Sequence, residues 1–163
     1  MQEIERKYLP TSLPDHLESF PHREIVQGYL SRSPAIRVRA SRGHYRLTVK
    51  GGGMMSRTED TFDLGSKEAF EHLLGKCDGR VIHKTRYLLP VEGYPQLTGE
   101  LDVFSGELEG LVVLEVEFPD EQMADAFQPP AWFGEDVSFD GRYHNSYLSA
   151  CEEVPPCPLG KLR

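Results

Sequence analysis

The dominant pattern along the chain is alternation of apolar and polar residues at period two, interrupted by turn residues, the signature of β-strands with one face buried. It predicts strands near 2–9, 23–32, 35–41, 44–51, 57–64, 80–90, 98–105 and 110–118. Helical spacing is confined to short stretches near 12–19, 66–75, 120–127 and 142–152. Ser66 and Asp120 stand where N-caps belong, and Gly75 where the second helix should stop. No composition shift or repeat divides residues 1–152, which read as a single domain. The end, 153–163, contains VPPCPLGKLR and is expected to be a loosely held, Pro-rich tail.

The polar faces are unusual in composition. In EIERKYL, Glu3, Glu5 and Lys7 share one face and Ile4 and Tyr8 the other. Arg37 and Arg39 alternate with Ile36, Val38 and Ala40; Arg46, Thr48 and Lys50 alternate with Tyr45, Leu47 and Val49. Arg57 and Glu59 share a face, as do Lys84 and Arg86, then Glu100 and Asp102, then Glu115 and Glu117 behind the apolar row Val112, Leu114, Val116 and Phe118. Alternation alone fits either a sheet with a solvated face or a barrel whose polar face lines a lumen. A solvated face normally mixes signs, because like neighbours repel. Here most strands carry one sign. Such blocks are tolerable if the acidic ones share a divalent cation and the basic ones a polyanion. Oxygen-only carboxylate pairs suit Mg²⁺ or Mn²⁺, and clustered Arg and Lys suit phosphate.

Composition narrows the partners. A net charge of −8 on 163 residues argues against nucleic acid but not against a local cationic site. No apolar run approaches membrane-span length, and the charged start lacks a signal-peptide core. Cys77, Cys151 and Cys157 form no CxxC pair and leave one unmatched, so a disulfide framework is not expected and a cytoplasmic location is. The six histidines show no zinc spacing. Gly51-Gly52-Gly53 is not a P-loop, since no Gly-Lys-Ser/Thr follows; it reads as a flexible connection between strands, at the mouth of any lumen they enclose.

The ordered set of motifs resembles the CYTH superfamily of triphosphate tunnel metalloenzymes. Glu3-Ile4-Glu5-Arg6-Lys7 resembles its ExExK signature, Gln27-Gly28-Tyr29-Leu30 its QGYL segment, and Ile36-Arg37-Val38-Arg39 its RxR strand. Leu47-Thr48-Val49-Lys50-Gly51, Arg57-Thr58-Glu59, Lys84-Thr85-Arg86, Leu101-Asp102-Val103-Phe104 and Leu114-Glu115-Val116-Glu117 resemble the strands that follow. Asp136-Val137-Ser138 and Arg142-Tyr143-His144-Asn145 resemble the closing segment. The likeness spans about 2–150. Two departures are Thr61, where many members are acidic, and Ser138, where Thr is usual.

The resemblance implies an α+β, mainly antiparallel fold: an eight-stranded closed β-tunnel with a charged lumen and helices packed outside. It implies a metal-dependent hydrolase of triphosphates, most readily inorganic tripolyphosphate. Thiamine triphosphatase and class IV-type adenylate cyclase activity are the alternatives within the family, and a non-catalytic polyphosphate- or nucleotide-binding module is the alternative outside it. It assigns Mg²⁺ or Mn²⁺ to Glu3, Glu5, Glu115 and Glu117, with Glu59 and Asp102 as ligands or as acceptors that orient cations. It assigns the phosphates to Lys7, Arg37, Arg39, Lys50, Arg57, Lys84 and Arg86, and catalytic assistance to Lys7 with Tyr29. Arg46 shares a face with Lys50 and is left between lumen and surface. His144 and Asn145 read as helix-packing residues. A homodimer through an exposed strand or helix face stays open.

Overall fold

The computed structural model describes residues 1–162. Nine strands form: β1 (Gln2–Leu9), β2 (His22–Arg32), β3 (Ala35–Ser41), β4 (His44–Lys50), β5 (Ser56–Asp63), β6 (Asp78–Val91), β7 (Tyr94–Ser105), β8 (Val112–Glu117) and the two-residue β9 (Glu135–Asp136). Neighbours pair antiparallel in the order β5-β4-β3-β2-β6-β7-β8-β1-β9, and a β5–β1 pairing closes eight strands into a barrel. β1 is the seam. Its start pairs with β5 over Gln2–Ile4, its middle with β8 over Glu5–Tyr8, and its end with β9.

Three short helices pack outside or across one end: α1 (Lys67–Leu74), α2 (Glu121–Ala126) and α3 (Asn145–Leu148). Ser66 and Asp120 cap α1 and α2 as the sequence predicts, accepting from the Ala69 and Met123 amides at 3.1 and 2.7 Å. Gly28 on β2 lets α1 approach, since a Cβ there would lie 2.8 Å from the Cys77 sulfur. No helix of the described residues is long and apolar enough to cross a membrane.

Four expectations are corrected. The stretch 12–19 forms only a 3₁₀ turn at Leu17–Ser19, because Pro14 and a left-handed His16 (φ 54°) break it. The predicted helix 142–152 contracts to α3, preceded by a 3₁₀ turn at Gly141–Tyr143. The triglycine connection lies at the closed end of the barrel, where the neighbouring Met54 methyl approaches Gly141, and not at the mouth. The Pro-rich end is held: Pro155 and Cys157 are buried, the Tyr143 hydroxyl bonds the Pro156 carbonyl, and Cys157 Sγ lies 3.2 Å from the Gly110 carbonyl.

The apolar core lies in two places, and side-chain parity explains both. Outward residues of β1, β7 and β8 (Tyr8, Leu101, Leu114, Val116) pack under Phe118, Phe127 and Phe133. The second cluster comes from the inward faces: Leu9, Tyr29, Ala35, Ile82, Phe104 and Val113 share parity with the charged lumen residues of their strands, yet are apolar. Tyr143, Leu148, Cys151 and Cys157 of the C-terminal segment join them. One end of the barrel is therefore plugged with apolar side chains. The lumen is a cup, open at the end where the β3–β4 hairpin lies.

Candidate active site

Above the plug, the inward residues enclose a cavity of about 300 Å³. β1 contributes Glu3, Glu5 and Lys7; β2 Arg23 and Tyr29; β3 Arg37 and Arg39; β4 Arg46 and Lys50; β5 Arg57 and Glu59. β6 adds Arg86, β7 Glu100, β8 Glu115 and Glu117, and Asn145 reaches in from α3. Because β2–β4 are adjacent and β7, β8 and β1 are adjacent, their single-sign rows become a cationic wall facing an acidic one.

The acidic wall is crossed by cations. Lys7 Nζ lies 2.7 Å from Glu115 and 3.3 Å from Glu5. Burial alone would lower the Lys7 pKa, but Glu115 and Glu5 overcome it and hold the ammonium charged. Glu115 is likewise held far below the ordinary carboxylate range despite its burial, by Lys7 and then Arg86. Lys50 Nζ bonds Glu3 at 2.9 Å, and Arg57 Nε stands 3.7 Å from the same oxygen. Burial and the neighbouring Glu59 push Glu3 upward against that lysine. Glu117 has no ion pair among the described residues; it is exposed, and partial desolvation of its carboxylate together with Glu3, Glu100, Glu5 and Glu59 raises its pKa. That corner holds more negative charge than its cations balance. It adjoins a second hollow of about 340 Å³ lined by Glu3, Glu59, Asp60 and Glu117.

The cationic wall has the opposite excess. Arg39 donates to Gln27 at 2.7 Å and is pulled down to about 9, first by burial and then by Arg37 and Arg86. Arg37 reaches Thr48 only at 3.5 Å, and its buried Nε has no partner. At the foot of the wall, Arg86 grips Asp102 through two bonds of 2.7 and 2.9 Å and Glu100 through one of 2.6 Å. Lys84 is 2.7 Å from Asp102 and 3.3 Å from the Asn145 amide oxygen, which also accepts from Gln27 at 3.2 Å.

Most of the residues predicted from sequence converge on this cavity: Glu3, Glu5, Lys7, Tyr29, Arg37, Arg39, Lys50, Arg57, Glu59, Arg86, Glu115 and Glu117 line it. Lys84 and Asp102 do not. Their side chains are fully enclosed, because the next inward residues toward the plug are the apolar Ile82 and Phe104. Asp102 accepts from both Arg86 and Lys84, the cation-orienting arrangement that the sequence reading gave as the alternative to a metal contact. Asn145 is not merely a packing residue, since it reaches the lumen. Arg23, which the strand pattern did not single out, and Glu100, noted only for sharing a face with Asp102, also line the cavity; each shares parity with a predicted site residue on its strand. Thr61, at the usually acidic position, joins Thr48 at 3.0 Å and Glu59 at 3.4 Å.

Among the described residues no three carboxylate, imidazole or thiol groups converge as a preformed metal cage. The chemistry of the acidic corner nevertheless fits a hard divalent cation. Glu3, Glu5, Glu59 and Glu117 offer only oxygen, and their mutual repulsion is what a cation would discharge. Glu115 and Glu3 both meet cations in this arrangement, Glu115 from Lys7 and Arg86 and Glu3 from Lys50 and Arg57, so a metal at either would displace an ammonium.

A closed barrel with facing walls of opposite charge defines a tunnel-type site for a polyanion and its counter-cation. No protein-family profile matches the chain, but individual relatives do. It is 44% identical over 155 residues to an inorganic triphosphatase of Nitrosomonas europaea, covering 91% of this chain and 97% of that one. It is 38% identical over 151 residues to an inorganic triphosphatase of Acetivibrio thermocellus, covering 90% and 92%. The crystal structure of the inorganic triphosphatase NE1496 superposes with a TM-score of 0.68 at 36% identity, covering 94% of this chain and 97% of that one. The chain belongs to the triphosphate tunnel (CYTH) family, among its inorganic triphosphatases.

Proposed function

We propose that this protein hydrolyses inorganic tripolyphosphate to diphosphate and orthophosphate with Mg²⁺ or Mn²⁺, in the cytoplasm. The observation that carries the proposal is the division of one 300 Å³ cavity into an acidic and a cationic wall. Relatives named inorganic triphosphatases support the same substrate, and three free thiols suit a reducing compartment.

In this reading Arg37, Arg39, Lys50, Arg57 and Arg86 bind the phosphates, the arginines as bidentate forks. Glu3, Glu5, Glu59 and Glu117 would hold the metal, which when bound neutralises phosphate charge and favours attack by water. Lys7, kept protonated by Glu115 and Glu5, acts as a fixed cation and not as a base. In the reaction a water oxygen bonds to the terminal phosphorus and the phosphoanhydride P–O bond breaks. The bridging oxygen leaves on diphosphate, and the proton released by water passes to solvent. Because the cationic groups are anchored before substrate arrives, by Gln27, Asp102 and Glu115, little reorganisation opposes the charge shift.

Incubation with tripolyphosphate, thiamine triphosphate and ATP, with products separated, tests the reading. Orthophosphate and diphosphate from tripolyphosphate as the fastest reaction supports it. Cyclic AMP from ATP or faster thiamine triphosphate turnover overturns it, and tight binding without turnover indicates a binding module.

A further inference from the structure

Asn145 reaches the lumen from its own direction. The other residues around the cavity stand on barrel strands, whereas Asn145 is the first residue of α3 in the C-terminal segment. That short helix is held from behind. Arg80 on β6 donates its backbone amide to the Ser149 carbonyl at 2.7 Å and its Nη1 to the Leu148 carbonyl at 3.0 Å. Gly79, with a φ of 73°, allows the close approach, since a Cβ there would collide with the Ser149 carbonyl. Leu148 is sealed into the apolar plug, so the plug presents Asn145 to the cavity.

Hydrogen bonds fix which way the Asn145 amide faces. Arg39 and Lys84 have only hydrogens to offer. Arg39 Nε donates to Gln27 Oε1 at 2.7 Å, which turns Gln27 Nε2 toward Asn145. Asn145 Oδ1 accepts from that nitrogen at 3.2 Å and from Lys84 Nζ at 3.3 Å. Both donors are fully buried, so the oxygen is committed to them. The amide nitrogen is left over. It makes no hydrogen bond among the described residues, yet it is not sealed off as the partnerless Arg37 Nε is. Asn145 lines the lumen, and this donor faces it.

We propose that Asn145 is a further substrate-binding residue, whose Nδ2 donates to a phosphate oxygen at the closed end of the lumen. It rests on the triphosphatase reading of the cavity. An amide suits that depth. A carboxylate there would repel the anion, and a further cation would crowd Lys84. The amide accepts from Lys84 with one atom and donates to the anion with the other. A bond to an ionised acceptor is stronger than one between neutral groups. With Oδ1 already pinned by two donors, little ordering remains to be done when the anion arrives.

The test uses two substitutions. Asn145→Ala removes both ends of the amide. Asn145→Asp keeps an acceptor for Gln27 and Lys84 and replaces the donor with an anionic oxygen. KM for tripolyphosphate with Mn²⁺ should rise about tenfold in Asn145→Ala, the scale of one hydrogen bond to a charged group. It should rise at least as much in Asn145→Asp, which should melt no lower than Asn145→Ala. Anchoring of Arg39 through Gln27 would also move KM, so Asn145→Ala is repeated in an Arg39→Ala background. An independent donor predicts that the about tenfold loss persists there, and an anchor alone predicts that it disappears. Disappearance of that loss, an unchanged KM in either single variant, or Asn145→Asp melting below Asn145→Ala would overturn the proposal. If the native protein does not cleave tripolyphosphate, the triphosphatase reading fails separately. Calorimetric titration with tripolyphosphate then decides about Asn145: about tenfold weaker binding by Asn145→Ala supports it. Equal binding, or no binding by the native protein, overturns it.

Discussion

Lys7 and Glu115 are register partners on adjacent strands, and their side chains meet in the lumen at 2.7 Å with 4% and 8% of their surface exposed. Glu115 thus neutralises a buried ammonium before it meets any ligand. Glu115→Gln leaves Lys7 only Glu5 at 3.3 Å. Breaking a buried pair by removing one partner costs about 3 kcal/mol, and denaturant unfolding at pH 7 measures it. Because Glu115 is held below its ordinary value of 4.5, its contribution to stability is complete above that value. It is lost as pH falls through the folded value. The variant and the native protein should therefore converge in stability at strongly acidic pH; a constant difference would contradict the pairing.

Asp102 never touches the cavity, yet it fixes Arg86 with two bonds and Lys84 with one. Asp102→Asn is predicted to raise KM for tripolyphosphate about tenfold or more, by releasing a phosphate-binding arginine. Metal affinity should be unchanged. A shift in metal affinity with KM intact would make Asp102 a ligand after all.

Glu117 has the opposite sign. Its pKa is raised above 4.5 in the folded protein, so its favourable contribution is present below that value and lost as pH rises through the folded one. Ionised Glu117 destabilises the metal-free fold at neutral pH, and a bound cation relieves that. Thermal melts with and without Mn²⁺ should show a larger stabilisation at pH 8 than at pH 5. Glu117→Gln should melt higher than the native protein without metal and gain less on adding it. Equal gains at both pH values would contradict this.

Arg37 is buried with an unpartnered Nε beside Lys50, whose pKa it helps to lower after burial. Arg37→Ala should raise KM for tripolyphosphate by about 10- to 100-fold without lowering the melting temperature, since it removes an uncompensated charge. Destabilisation with KM unchanged would assign Arg37 a structural role.

Much of this site was legible because the strand period is two. The parity of Glu3, Glu5 and Lys7, of Arg37 and Arg39, and of Glu115 and Glu117 tells which residues share a face, and their sign purity indicates a lumen. Parity does not give depth along the barrel axis. Lys84 lies two residues from Arg86 with the same charge, yet one is sealed and the other lines the cavity, because Ile82 and Phe104 bring the apolar plug up to that level. The plug itself was illegible: Leu9, Ile82, Phe104 and Val113 look like ordinary strand residues until the C-terminal segment folds over them. That segment, rich in Pro, shows no clear period, and what holds it is the buried contacts of Tyr143, Leu148 and Cys157. Asn145 was equally hidden, since its place in the lumen comes from that segment and not from a strand face.

The central claim is that the acidic wall and the cationic wall serve one reaction. Phosphate release from tripolyphosphate as Mg²⁺ or Mn²⁺ is titrated tests it most directly, with native protein, Glu117→Gln and Arg37→Ala side by side. The account predicts no release without metal, a higher metal requirement for Glu117→Gln at unchanged substrate KM, and a higher substrate KM for Arg37→Ala at unchanged metal requirement. Metal-independent release by the native protein, or both variants failing in the same parameter, would contradict it.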